Sequence, residues 1–262
     1  MKTTAIMNLK GGTAKTVTAI NTAAILARDY SMRVLLVDAD SQANLTELTT
    51  RTTPNDLIIG GFADLMRGQK AFPLPTKMKN VDILQADSSL MDMDLTAIKT
   101  KKIDIMPLAD YLSEKDVRDR YDWCLIDCPP AFSAAAMAAL AAADGVIIPM
   151  KVDAFAMRGM GNMLNQIRNM KNVNSGLEVL GILPTMFYPS DSQREKLEKL
   201  RELATAARLR VFHSIRRSMK VDEMTFAQEA LIYSSPKSGA TRDYKILVRD
   251  LVEDAEGGEA DV

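Results

Sequence analysis

The chain has 262 residues, 47% of them apolar and 26% charged, with a formal net charge of -1. That balance suits a globular α/β domain with a sizeable core, excludes wholesale disorder, and gives no global attraction to nucleic acid. Cys124 and Cys128 do not form a disulfide framework, and with His213 the only histidine they lack the further ligands of a Cys/His metal site, so both read as buried small side chains.

The opening "MKTTAIMNLKGG" is interrupted by polar residues before an apolar signal region could form. No apolar run approaches the ~18–20 residues that span a bilayer. The expectation is a cytoplasmic protein. In chain order, "TTAIMNL" reads as a strand, residues 15–30 as a helix, "RVLLVDAD" and "VDILQAD" as strands, and residues 104–120 as a helix. Then follow the strand of "YDWCLIDCPP", an Ala-rich helix over 131–143, the strand "DGVIIPM" and a helix over 155–170. The strand "LEVLGILPT", a charged helix over 191–207, the short strand "LRVF" and a helix from about 239 to 254 complete the pattern. Such alternation implies βαβ units, hence a mostly parallel central sheet flanked by helices on both faces. "RVLLVDAD" and "DGVIIPM" are almost continuously apolar, as interior strands are. Residues 51–79, with Pro54, Gly60, Gly61, Pro73 and Pro75, read as a connection carrying one short helix. Residues 1–255 are expected to form one domain and the acidic residues 256–262 a flexible tail.

"MNLKGGTAKTV", from Met7 to Val17, follows a strand and opens a helix. Backbone N–H groups at such a turn, with the positive helix end, favour an anion. Lys15 is then placed to reach the β- and γ-phosphates of ATP, and the Thr16 hydroxyl to bind Mg2+. A Gly-Gly turn with surface lysines is the structural alternative. The standard phosphate-loop pattern is not met, since Asn8 or Leu9 stands where its first glycine falls and Ala14 where its last does.

"KGGTAKT" instead resembles the deviant Walker A box of the ParA/MinD family of P-loop ATPases. The resemblance implies a nucleotide cradle of Lys10, Gly11, Gly12, Thr13, Ala14, Lys15, Thr16 and Val17. It also implies that Lys10 crosses a dimer interface to the phosphates held by the partner, with two ATP molecules sandwiched between two chains. A positive φ at Ala14 would favour glycine there. "VLLVDADSQANLT" resembles the family's second box, with Ser41 in place of its proline; by resemblance Asp40 orients the hydrolytic water and Asp38 lies near the metal. Two acids capping a strand-to-helix turn are the alternative. "YDWCLIDCPP" resembles the Walker B segment, which makes Asp127 a water-mediated Mg2+ ligand. "ADGVIIPMKVDAFAMRGM" matches the next strand and loop, placing Asp153 and Phe155 near a dimer interface or at the start of the next helix.

The branch of the family rests on charge. Residues 248–262 hold Arg249 against Asp250, Glu253, Asp254, Glu256, Glu259 and Asp261, the reverse of a basic membrane-binding helix, so no membrane partner is expected. Residues 192–220 are basic, and Arg216, Arg217 and Lys220 have no acid nearby in sequence until Asp222. With Lys237, Arg242 and Lys245 in "YSSPKSGATRDYKIL" they form a candidate surface for nonspecific DNA; ordinary solvated charges are the alternative. The resemblance thus implies a ParA/Soj-type partition ATPase with weak intrinsic hydrolysis, an Mg2+-ATP homodimer on nucleoid DNA, and a ParB-like centromere-binding partner. The chain starts close to its first strand, so an operator-binding helix-turn-helix is not expected. Remaining alternatives are a nucleotide-switched scaffold positioning a protein complex, a metal-cluster carrier needing dimer-bridging cysteines, and a small-molecule P-loop ligase or kinase.

Overall fold

The computed structural model describes residues 1–257 except 51, 53–55, 57, 101 and 102, with backbone alone at 94, 96–98, 100 and 154–158. The first part of the chain runs β1 (Lys2–Ile6), α1 (Lys15–Asp29), β2 (Val34–Asp38), α2 (Asn44–Thr49), α3 (Phe62–Met66), β3 (Leu74–Pro75), β4 (Val81–Leu84) and α4 (Leu90–Thr100). It continues through α5 (Pro107–Ser113), α6 (Lys115–Arg118), β5 (Trp123–Asp127), α7 (Ala134–Ala142), β6 (Gly145–Lys151) and α8 (Ala154–Met170). The last part comprises β7 (Glu178–Thr185), α9 (Asp191–Ala206), α10 (Met219–Ala227), α11 (Leu231–Ser234) and α12 (Gly239–Gly257).

The seven strands are ordered β3-β4-β2-β5-β1-β6-β7. All pairings are parallel except β3 with β4. Alternation along the strands builds two cores, one on each face. On β5, Cys124 and Ile126 join the core that includes Leu108, Leu140 and Leu164, while Trp123 and Leu125 join the one that includes Ile20, Leu26 and Leu247. The tryptophan satisfies its polar edge by donating from Nε1 to Thr4 Oγ1 at 3.1 Å. Both thiols are buried and unpaired with each other, as expected of small core side chains.

Several elements depart from the sequence reading. The helix expected over 104–120 is two helices, α5 entered through Pro107 and broken at Glu114, whose ψ of 134 is not helical, before α6. Helices α4, α10 and α11 were not anticipated. "LRVF" forms no strand; only Val211 bridges Ile182. Pro184 on the outer edge of β7 has no N–H to extend a ladder, and it only accepts, from Ile215 N at 2.8 Å. Within 51–79 the chain adds the edge strand β3 to the expected short helix, and the final helix runs to Gly257. The rest of the tail expected to be flexible, 258–262, lies outside the described residues.

Candidate active site

The parallel register sets the site at the C-terminal strand ends, where open α/β sheets bind ligands. Ile6 and Asp38 are both in register with Asp127. A cavity of about 830 Å3 opens there, lined by Gly11 through Val17 with Asp40, Pro130 and Lys151, and also by Arg216, Arg217, Val221, Thr225 and Gln228.

Gly12 at φ 68 and Ala14 at φ 67 turn the loop into α1 through left-handed conformations. No side chain caps α1, whereas Ser133, Ser190 and Ser218 cap α7, α9 and α10. The free N–H groups of the first turn of α1 therefore converge on the cavity without a protein acceptor from the cap. Lys15 is only 8% exposed. Behind the loop, Thr16 Oγ1 donates to Asp127 Oδ2 at 2.6 Å, and the buried Asp127 Oδ1 has no hydrogen-bond partner. Burial, reinforced by the neighbouring Asp38 charge, pushes the Asp127 carboxyl well above the usual range.

Asp38 is brought beside Asp127 but its oxygens are already engaged. Its Oδ2 accepts from Thr46 N and Thr46 Oγ1, both at 2.8 Å, and its Oδ1 from Asp40 N at 3.2 Å. Burial pushes its carboxyl up to about 7 against the lowering effect of the Thr46 bonds. Asp40 lines the cavity, with Oδ1 accepting from Gln42 N at 3.0 Å. Lys10 does not line it; its ammonium lies 2.8 Å from Asp153 Oδ2, an exposed pair on the adjoining loop. Phe155 falls where side chains lie outside the described residues.

The basic cluster needs correction. Its apparent lack of acids holds only along the sequence. Arg216 makes a forked contact with Asp243, Nε to Oδ2 at 2.7 Å and Nη2 to Oδ1 at 2.8 Å, and its backbone N also donates to Oδ2 at 2.9 Å. Burial works to raise the Asp243 carboxyl, but the Arg216 bonds, with His213 beside them, hold it below the usual range. Lys220 pairs with Glu223 at 2.6 Å and Lys245 with Asp29 at 2.8 Å. Arg242 donates to the Lys237 carbonyl at 3.1 Å, so these two sit together. Arg216 and Arg217 line the cavity as well as belonging to the basic segment.

Sequence reasoning missed Thr46, Lys151, Gln228, Asp243 and Tyr244. Of these, Thr46 carried a usable signal, a hydroxyl eight residues after Asp38 at the start of a helix. Tyr244, buried with its hydroxyl 3.4 Å from Thr18 Oγ1, lines the cavity from α12.

A family model described as an AAA domain matches residues 1–179. The chromosome-partitioning ATPase Soj of Treponema pallidum (strain Nichols) is 31% identical over 260 residues, which cover 96% of this chain and 97% of that protein. The chromosome partitioning protein ParA of Caulobacter vibrioides (strain NA1000 / CB15N) is 29% identical over 261 residues, covering 96% and 94%. Among solved structures, the cobyrinic acid a,c-diamide synthase from Mycobacterium smegmatis with bound ADP and magnesium is 26% identical, with a TM-score of 0.82, covering 98% of this chain and 96% of that one. By the family model over residues 1–179 and these relatives, this chain belongs to the ParA/MinD family of P-loop partition ATPases.

Proposed function

We propose that this chain is a DNA-partition ATPase whose Mg2+-ATP homodimer binds DNA without sequence preference and releases it on hydrolysis. The observation that carries the nucleotide half of the reading is the uncapped start of α1 beside the Thr16–Asp127 pair with its orphaned, buried Oδ1. An unsatisfied buried carboxylate oxygen is costly, and a cation nearby removes that cost. Among the described residues no group of three or more His, Cys, Asp or Glu could hold a metal ion. Mg2+ is commonly bound by one or two protein oxygens together with phosphate and water.

In this reading the loop from Gly11 to Val17 holds the phosphates through backbone N–H groups, and Lys15 neutralises the β- and γ-oxygens. Thr16 Oγ1 would bind the metal directly and Asp127 would hold it through a water. Bound Mg2+ supplies charge neutralisation to the transferring phosphoryl group. Asp38 lies near the metal as a brace, since its bonds hold the start of α2. Asp40, facing the cavity, orients the attacking water. Lys10 leaves Asp153 and reaches the nucleotide of the partner subunit. Residues 1–255 act as one ATPase domain.

For DNA, the ion pairs of Arg216 and Lys220 shift the phosphate contacts toward Arg217, Lys237 and Arg242. Release is stimulated by a ParB-like centromere-binding partner, and the protein works in the cytoplasm on the nucleoid. Among the described residues no helix is long and apolar enough to cross a membrane. The likeness to a diamide synthase supports one rival, an ATP-dependent enzyme acting on a small molecule.

Binding to a random-sequence duplex with ATP, ADP or no nucleotide, over a salt series, tests the reading. ATP-dependent binding that weakens steadily with salt is expected, because phosphate contacts release counterions. An ATP-dependent dimer that ignores DNA at every salt concentration points to a protein-positioning scaffold. Turnover that needs a metabolite and not DNA points to the small-molecule enzyme.

A further inference from the structure

One cation at the cavity remains without a role in that scheme. Lys151 is the last residue of β6, its side chain is exposed, and it lines the same cavity as Gly11, Gly12 and Thr13. Side-chain hydrogen bonds to backbone carbonyls tie this strand end to the phosphate loop. Asn8 Nδ2 donates to Pro149 O at 2.7 Å. Lys151 is in register with Thr185 on β7, and the Thr185 hydroxyl donates to Thr13 O at 3.1 Å. Thr185 thus links the Lys151 strand end to Thr13 of the phosphate loop.

The ionic surroundings of Lys10 and Lys151 differ. Lys10 is engaged by Asp153. Lys151, two residues before that aspartate, makes no ion pair among the described residues. An ammonium at a strand end, without an ion pair among the described residues and lining the same cavity as the uncapped start of α1, suits a polyanion.

We propose that Lys151 is a further phosphate ligand of the chain's own nucleotide site, its ammonium donating to terminal phosphate oxygens alongside Lys15. This rests on the nucleotide reading above. Lys151 acts in binding, and it distinguishes nucleotides by the length of their phosphate chain: ATP and ADP extend toward it, whereas AMP does not.

The test is titration calorimetry of the full chain with ATP, ADP and AMP in the presence of Mg2+, for the wild type, Lys151→Gln and Lys151→Arg. Thermal melts verify that these surface variants fold. Lys151→Gln is expected to weaken ATP on the order of tenfold, the worth of one charged hydrogen bond, while AMP binding stays within about twofold. Lys151→Arg keeps the charge and is expected to stay within about threefold of the wild type for ATP. Unchanged ATP affinity in Lys151→Gln, or an equal loss for ATP and AMP, overturns the proposal. So does a loss confined to DNA binding. A wild-type chain that binds none of the three nucleotides overturns the nucleotide reading itself, an outcome separable from a defect of the variant alone.

Discussion

Ala14 holds the turn between the phosphate loop and α1 at φ 67, ψ 31, a conformation that costs an L-residue roughly 1–2 kcal/mol. Glycine removes that strain but adds freedom to the unfolded chain, worth about 0.4–1 kcal/mol in the other direction. Ala14→Gly is thus expected to stabilise the protein by about 0.5 kcal/mol. Ala14→Val, β-branched in the left-handed region, is expected to destabilise it by more than ~1 kcal/mol. Urea midpoints check the order Gly, Ala, Val; a Val variant as stable as the wild type contradicts the left-handed turn. A second residue-scale prediction concerns Arg216. Its contacts keep the buried Asp243 ionised, so Arg216→Met strands a carboxylate whose side chain is 2% exposed. Because half of the Arg216 side chain is solvated, the loss is expected at about 1–3 kcal/mol, below that of a fully buried pair. The sign with pH follows from a depressed folded pKa: the stabilisation is present above the unfolded value of about 4 and is lost as pH falls below it. The stability gap between wild type and Arg216→Met is expected to shrink in urea melts as pH falls below about 4, and a gap independent of pH removes Asp243 from the explanation.

At the scale of elements, Thr46 is the joint between β2, α2 and the end of β4. Its hydroxyl donates to Asp38 Oδ2 at 2.8 Å and accepts from Ala86 N at 3.0 Å. Thr46→Val keeps the shape and removes both bonds, leaving a buried N–H and a buried carboxylate each short of a partner. A loss of roughly 2–4 kcal/mol is expected, with Thr46→Ser much closer to the wild type; equal stability of Val and Ser variants would remove the hydroxyl from this joint. This joint also shows what was legible in the sequence. The phosphate loop, Asp40 and Asp127 were readable because chemistry demands those residue types directly after apolar strands. Asp38 was read as close to the metal; it is in register with Asp127, and its bonds to Thr46 depend on a turn that only the folded chain reveals. Helix α10 was invisible for a related reason. Met219 and Phe226 are 78% and 91% exposed, and among its residues Met224 is the one buried apolar side chain, so no apolar stripe marks it. The pairing of Arg216 with Asp243 spans 27 residues, beyond the reach of any local charge pattern.

The whole molecule treats the two lysines of the phosphate-loop segment unequally, and this bears on how two copies could engage. Lys15 is buried inside the loop, while Lys10 rests on Asp153 with its side chain 44% exposed. An exposed pair of this kind contributes only about 0–1 kcal/mol, so leaving it costs the monomer little. If Lys10 acts across a dimer interface, its removal should separate two quantities that a structural residue would move together. Lys10→Ala is expected to change the unfolding free energy by less than about 1 kcal/mol and to retain ATP binding by the monomer. ATP-dependent dimerisation, measured by sedimentation velocity, is expected to disappear, and ATP-dependent DNA binding with it, because the basic residues of one subunit alone give too few phosphate contacts for stable binding at moderate salt. Dimerisation that survives in Lys10→Ala assigns the ammonium to the exposed pair with Asp153 and leaves the chain's own Lys15 as the cation inside the loop. Loss of monomer ATP binding in the same variant places Lys10 in its own site, and the sandwich arrangement then has no support from this residue.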